Sequence, residues 1–483
     1  MSTVSPAPCD GGIATTLKPV ATSHPSAALA ATVLGSGMAF IDGSVVNVAL
    51  PTIQRGLSAP DSMLPWIINV YLLPLGALIL LGGGAGDRYG RRRLFLAGLA
   101  LFTAATIVCA AAPSFSILLV GRALQGVGAA LLLPNSLAIL GAAFEGEARG
   151  QAIGTWAAAG AVAGALGPLV GGWLIDGVGW RAIFLLNLPI AAAAGFLAVV
   201  YLEDSAESSK TSLDWLGAVI ATIALVAITW ALTAAVVTEA HARESWMLGI
   251  GGIALLVLFV VVEARRGDRA IMPLALFANR TFSGLTLLTF FLYASFGGLM
   301  VLLPFLMIRV GGYSAVQAGA AILPLPIMIG LGSRFMGRVA GRHGGRWPLT
   351  IGSVIVSLGF VLYLRTGASV NYWRDILPPT LAIAIGMGMC VAPLTTAVMS
   401  SVDVRHVGAA SGFNSAVARV AGLIATALLG SVFVLQGSAK AFAAGFRDAA
   451  LVASASALAA AGSAFFLIRT PSDANQEDIH RRR

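Results

Sequence analysis

Residues 82 to 94 read Gly82-Gly83-Gly84-Ala85-Gly86-Asp87-Arg88-Tyr89-Gly90-Arg91-Arg92-Arg93-Leu94, a short charged hairpin set between two long apolar runs. Its charged side chains cannot sit in hydrocarbon, and its excess of arginine assigns it to the cytoplasmic side by the positive-inside bias. The hairpin therefore joins two membrane helices and fixes their direction. Working outward from it, apolar runs long enough to cross about 30 Å of hydrocarbon recur near 27–50, 63–83, 94–112, 114–141, 150–175 and 180–202. A polar, acidic connector, Glu203 to Asp214, follows. Two further runs, near 213–234 and 246–263, precede a basic loop with Arg265, Arg266, Arg269 and Arg280. Six more lie near 282–308, 317–340, 347–366, 376–400, 404–435 and 447–469.

This pattern predicts an all-α polytopic membrane protein of fourteen transmembrane helices with both termini cytoplasmic. The expected units are a disordered tail over 1–26, rich in Ser, Ala, Thr and Pro, and a six-helix bundle over 27–202. A connector with two extra helices over 203–281, a second six-helix bundle over 282–469 and a tail over 470–483 complete them. No cleavable leader is expected, because the first apolar run continues past Asp42 into a full span.

Composition agrees. Of 483 residues 58% are hydrophobic and 11% charged, a balance that a soluble protein of this size could not solvate. The net charge of +9 raises the question of a nucleic-acid partner, but the basic residues gather in the loops assigned to the cytoplasm, so the positive-inside bias accounts for it. Membrane lipid, not nucleic acid, is the expected surroundings. Cys9, Cys109 and Cys390 are scattered and offer neither a disulfide framework nor zinc spacing. No lysine follows a glycine, so there is no phosphate loop for ATP. No metal, cofactor or enzymatic centre is expected, which leaves an ion gradient or the substrate itself as the energy source.

Few charges fall at membrane depth. Asp42 lies in Ile41-Asp42-Gly43-Ser44-Val45-Val46-Asn47, and Arg122 in Gly121-Arg122-Ala123-Leu124-Gln125. Asp42 is nine residues before Pro51 and Arg122 nine after Pro113, which puts both about 13 Å below the same surface at helical rise. Equal depth permits a pair. An intramembrane acid is a functional-site candidate by default; the alternatives are a polar residue holding two helices together and a static salt bridge. Arg419 is a second deep cation with no deep acid in its half; backbone carbonyls or an anionic group of a substrate could meet it. Asn47, Trp66, Tyr71, Gln125 and Trp156 are candidates to line a substrate cavity, though interfacial belt or packing roles suit the aromatic ones equally. In the fifth run, Gly160, Gly164, Gly167, Gly171 and Gly172 place small residues on one helix face for close packing, and Pro168 permits bending.

The spacing Gly83-x-x-x-Asp87-Arg88-x-Gly90-Arg91-Arg92 resembles the signature loop between helices 2 and 3 of the major facilitator superfamily. Gly337-Arg338-Val339-Ala340-Gly341-Arg342-His343-Gly344-Gly345-Arg346 echoes it as an internal repeat, with Gly341 where the first copy has Asp87. Gly167-Pro168-x-x-Gly171-Gly172 is similar to the antiporter signature of drug exporters in that superfamily, with Ala163 in place of the leading glycine. Trp180-Arg181 with Phe184, Asn187 and Pro189, Asp214-Trp215-x-Gly217, and Ser411-Gly412-x-Asn414 with Arg419 resemble the fourteen-helix drug:proton antiporter family. The resemblance implies the major facilitator fold, two six-helix bundles plus two extra helices. It also implies an inner-membrane exporter of lipophilic drugs or antibiotics exchanged for protons, with Asp42 and Arg122 coupling the proton. Gly83, Asp87, Arg88, Gly90, Arg91, Arg92, Gly164, Gly167, Pro168, Gly171 and Gly172 would then serve conformational gating. A transporter of a natural metabolite such as a sugar, amino acid or siderophore is the alternative on this scaffold; a non-transporting receptor would call for an output domain that the short tails do not provide.

Overall fold

The computed structural model describes residues 24–60, 63–144, 146–203, 215–234, 242–266, 274–367, 369–402, 407–429 and 439–468. Most of the two expected tails and of the acidic connector, Asp214 among them, lies outside these residues. The described chain is helical, as it must be where backbone groups meet hydrocarbon and have only each other for hydrogen bonding. The first half contains α1 (Pro25–Leu57), α2 (Pro65–Tyr89), α3 (Arg91–Ala111), α4 (Phe115–Ala143), α5 (Gly146–Gly177), α6 (Ala182–Leu185) and α7 (Asn187–Tyr201). The extra pair is α8 (Trp215–Ala234) and α9 (Ala242–Arg266). The second half contains α10 (Arg280–Arg309), α11 (Ala315–Ile322), α12 (Pro324–His343), α13 (Arg346–Leu362), α14 (Leu377–Ser400), α15 (Val407–Leu428) and α16 (Ala439–Leu467).

Among the described residues, 11 helical stretches are long and apolar enough to span a membrane, and Pro65–Ile79, Leu216–Leu232 and Gly412–Leu428 are shorter apolar helices; these account for the fourteen expected spans. Two runs that read as continuous are broken. Leu186 separates α6 from α7, and Leu323 separates α11 from α12, where Pro324 opens the second piece, the position at which a proline's missing N–H costs least. The helix predicted from residue 27 already starts at Pro25, also with proline in its first turn.

The outer faces are apolar: Trp173, Phe196, Trp246 and Phe466 are among the large exposed side chains, a surface that lipid covers. Inside, glycines let backbones meet. A Cβ on Gly98 would strike the carbonyl of Gly128 between α3 and α4, and one on Gly352 would strike that of Gly386 between α13 and α14. The two halves thus use the same device between equivalent helices. The hairpin repeat is also real in the backbone. Gly90 ends α2 at φ 105° and Gly344 ends α12 at φ 83°, values that side chains other than glycine rarely adopt.

The halves meet along α1 with α10, α2 with α15, and α5 with α11. The extra helix α8 packs on α2 and α15, covering that seam, and α9 packs on α8. At the end opposite the Asp87–Arg93 hairpin the halves are in close contact. A Cβ on Gly172 would collide with the Ala315 carbonyl, and one on Gly319 with that of Pro168. Arg309 donates to Gln54 at 2.6 Å across the same end. Toward the hairpin end they separate around a cavity.

Candidate functional site

The cavity has a volume of about 1610 Å³ and is walled largely by apolar side chains of both halves, such as Phe40, Ile68, Phe296, Met300 and Ile329. Its polar wall comes from Asn47, Tyr71, Arg122, Gln151, Thr155, Ser333 and Thr426. Toward the hairpin end, lining residues Gln151, Gly154 and Leu331 are exposed, so the cavity is open there and shut opposite.

Arg122 lines its wall, with the partner anticipated from depth, Asp42, behind it. Asp42 on α1 and Arg122 on α4 form an ion pair, with both side chains fully buried. The guanidinium is held on every side. Its Nε donates to the Ile67 carbonyl at 3.1 Å and one terminal nitrogen to Gln125 Oε1 at 2.8 Å, while its plane lies 4.4 Å from the centre of the Tyr71 ring. Gln125, one turn along α4, closes the circuit by donating to Asp42 Oδ1 at 3.3 Å and to Thr106 Oγ1 at 2.8 Å. The Cys109 thiol donates to Gln125 Oε1 at 3.5 Å. Two charges in a low-dielectric interior are tolerable only when paired and hydrogen-bonded in this way.

The remaining residues singled out in the sequence fall into several groups. Asn47 and Tyr71 line the cavity, and Asn47 Oδ1 is buried with no hydrogen-bond partner. Gln125, Trp66, Trp156 and Arg419 are not among the lining side chains. Gln125 is spent on the ion pair, because its place on the Arg122 face turns it inward. Trp66 packs against Trp230 of α8 at 5.4 Å, and Trp156 donates to Ser36 Oγ at 2.9 Å beside Phe40. Those two aromatics have packing roles. Arg419 on α15 stands beside Gly76 of α2.

Along α5, Gly167 and Gly171 press on Ser44 and Val45 of α1, Gly172 presses on α11, and Pro168 and Gly164 line the cavity, with open space beside Gly164. At the hairpin, Arg92 donates to the Val199 carbonyl at 2.6 Å, Arg91 to that of Ala138 at 3.5 Å, and Arg88 lies over the Tyr89 ring. Gly83 packs against Pro134. Gly86 was not singled out, yet a Cβ there would overlap the Asn135 amide. The Asp87 side chain lies outside the described residues.

Two residues take parts that the sequence does not assign them. Thr106, on α3, completes the buried circuit. Asp176, at the end of α5, accepts from the backbone N–H groups of Ala315 at 3.3 Å and Val316 at 2.9 Å, bridging the halves at the closed end. A carboxylate near a helix end is the available signal, but its partner is backbone.

Comparison with known proteins agrees with this architecture. A family model described as Major Facilitator Superfamily matches residues 32–426. The chain is 34% identical over 410 residues to a protein of Mycobacterium tuberculosis named multidrug resistance protein Stp, covering 84% of this chain and 75% of that one. It is 30% identical over 406 residues to the methylenomycin A resistance protein of Bacillus subtilis, covering 83% and 86%. Among solved structures, a peptide transporter described as POT in complex with sulfate superimposes with a TM-score of 0.67 at 17% identity, over 92% of this chain and 96% of that one.

Proposed function

We propose that this chain, which belongs to the major facilitator superfamily, is a proton-coupled antiporter that exports lipophilic drugs or antibiotics across the inner membrane, both termini being cytoplasmic. That it is a multi-pass membrane protein follows from its spans and its family. The export reading draws on relatives named for multidrug or antibiotic resistance, together with a large apolar cavity suited to lipophilic molecules.

The observation that carries the coupling is the buried Asp42–Arg122 pair at the cavity wall. Among the described residues, Asp42 is the one carboxylate joined to this circuit. When it takes a proton, the charge opposing Arg122 disappears and the guanidinium keeps only neutral partners: the Ile67 carbonyl, Gln125 and the Tyr71 ring. Because Tyr71 and Arg122 also line the cavity, a change in the pair changes what the substrate meets. Proton and substrate thereby act on one set of groups, which is the requirement for exchange. Loss of the proton restores the pair and resets the cavity.

Export of a natural metabolite uses the same machinery and differs only in cargo. A lining dominated by Val, Leu, Ile, Met and Phe favours lipophilic compounds over sugars or amino acids. The test is uphill transport of ethidium in inverted membrane vesicles energised by a pH gradient. Asp42→Asn keeps size and hydrogen bonding but cannot titrate, so it is expected to abolish accumulation while the protein remains inserted and monodisperse. Accumulation at the wild-type rate by the Asn variant refutes the coupling role.

A further inference from the structure

We infer that Arg419 forms an anion subsite beside the cavity, and that the preferred substrates are lipophilic molecules carrying one negatively charged group, a carboxylate or sulfonate. The inference rests on the exporter reading for the word substrate; the subsite itself is a binding property.

Among the described residues, the charges deep in the two bundles are Asp42, Arg122 and Arg419, and Asp42 is already committed to Arg122. Arg419, half-buried, makes no hydrogen bond or ion pair among the described residues, and its Nε is enclosed without a partner. Carbonyl anchoring, the structural alternative for an intramembrane arginine, is therefore not what the protein does with it. The titratable groups that bear on it electrostatically are the phenols of Tyr71 and Tyr293; no carboxylate is among them. Of the other described acids near the second half, Asp448 is exposed on α16 and three more are placed elsewhere. Asp176 caps α11, Asp375 pairs with Arg374 at 2.9 Å, and Glu263 belongs to α9 on the outer side of α8.

Gly422 and Thr426 are three and seven residues along α15 from Arg419, hence on the same helix face, and both line the cavity. Tyr71 lines it from α2, and Gly76, five residues further along α2, leaves room against the Arg419 stem. A guanidinium presents a planar fork of donors matched to a carboxylate or sulfonate. In surroundings this apolar, an uncompensated cation attracts an anion more strongly than at a wet surface. A dication would instead meet a site with one positive charge in excess.

The test is equilibrium binding of N-dansyl-leucine and of its uncharged methyl ester to the purified full-length protein in nanodiscs, followed by dansyl fluorescence. The wild type is expected to bind the carboxylate about 10- to 100-fold more tightly than the ester, the range for a charge-assisted hydrogen-bonded pair. Arg419→Gln is expected to erase that preference while leaving ester affinity unchanged, and Arg419→Lys to retain part of it. Equal binding of acid and ester by the wild type, binding of neither, or a preference that survives in Arg419→Gln overturns the inference. The wild-type comparison requires no variant to fold, and ester affinity in each variant reports an intact cavity. Failure of the exporter reading is seen separately, in the uphill transport assay: the binding comparison uses no gradient, so a protein that transports nothing can still show the acid-over-ester preference and its loss in Arg419→Gln.

Discussion

Replacing Asp176 by alanine should loosen the closed end of the transporter. The Asp176 carboxylate accepts from the N–H groups of Ala315 and Val316 at the start of α11. The first N–H groups of a helix have no acceptor within it, and they carry the positive end of the helix dipole. The contact joins the two halves, so it exists only while this end is shut. A buried hydrogen bond to a charged group is worth about 1.5–3 kcal/mol, but Asp176 is exposed, where a charge at a helix terminus contributes about 0.3–1 kcal/mol. Taking about 1 kcal/mol, the ratio of open to closed at this end should rise about fivefold. The Arg309–Gln54 hydrogen bond and the Gly172–Ala315 approach remain, so the shift is partial. Asn keeps an acceptor without the charge and should fall between wild type and Ala. Spin labels at Val178 and Ala320, exposed positions in the turn after α5 and on α11, would report the distance by pulsed electron resonance. The long-distance fraction should grow in the order wild type, Asn, Ala, and the effect should shrink in high salt. Unchanged distributions in the Ala variant, or a shift toward the short distance, refute the latch.

Arg122→Ala leaves Asp42 without its counter-ion and Gln125 Oε1 with only the Cys109 thiol as donor, so ethidium accumulation driven by a pH gradient should fall by at least about tenfold; Arg122→Lys should recover part of it, since lysine keeps the charge but loses the fork that reaches both Ile67 and Gln125. A wild-type rate in the alanine variant would separate this residue from coupling. With one deep acid against two deep arginines, divalent quaternary ammonium compounds should be exported less well than matched monovalent ones. Growth inhibition of cells with and without the protein decides it, and stronger protection against the divalent member would mean that a further acid reaches the cavity.

Membrane spans were legible because lipid imposes a length and an apolar composition that no periodicity analysis is needed to detect. Asp42 and Arg122 were legible for the converse reason, that charge at that depth is rare and their distances from Pro51 and Pro113 match. Gln125 was legible only in part. Three residues after Arg122 on one helix face, it had to share that arginine's surroundings, yet whether that face met cavity or protein depended on Thr106 arriving from α3. Trp66 and Trp156 illustrate the limit for aromatics, since an indole serves a cavity, a lipid interface or a helix contact with the same composition of neighbours. Asp176 illustrates another: its partners are backbone amides 139 and 140 residues away, and amides are present at every position, so no residue type announces them. Arg419 and Arg122 look alike in sequence, each a lone arginine in an apolar run. What distinguishes them is whether a carboxylate is brought within reach, and that is settled by packing: α1 carries Asp42 to one, while the described surroundings of the other offer only phenols. The same residue type is thereby a neutralised pair in the first half and an unspent charge in the second, which is why the two call for different experiments.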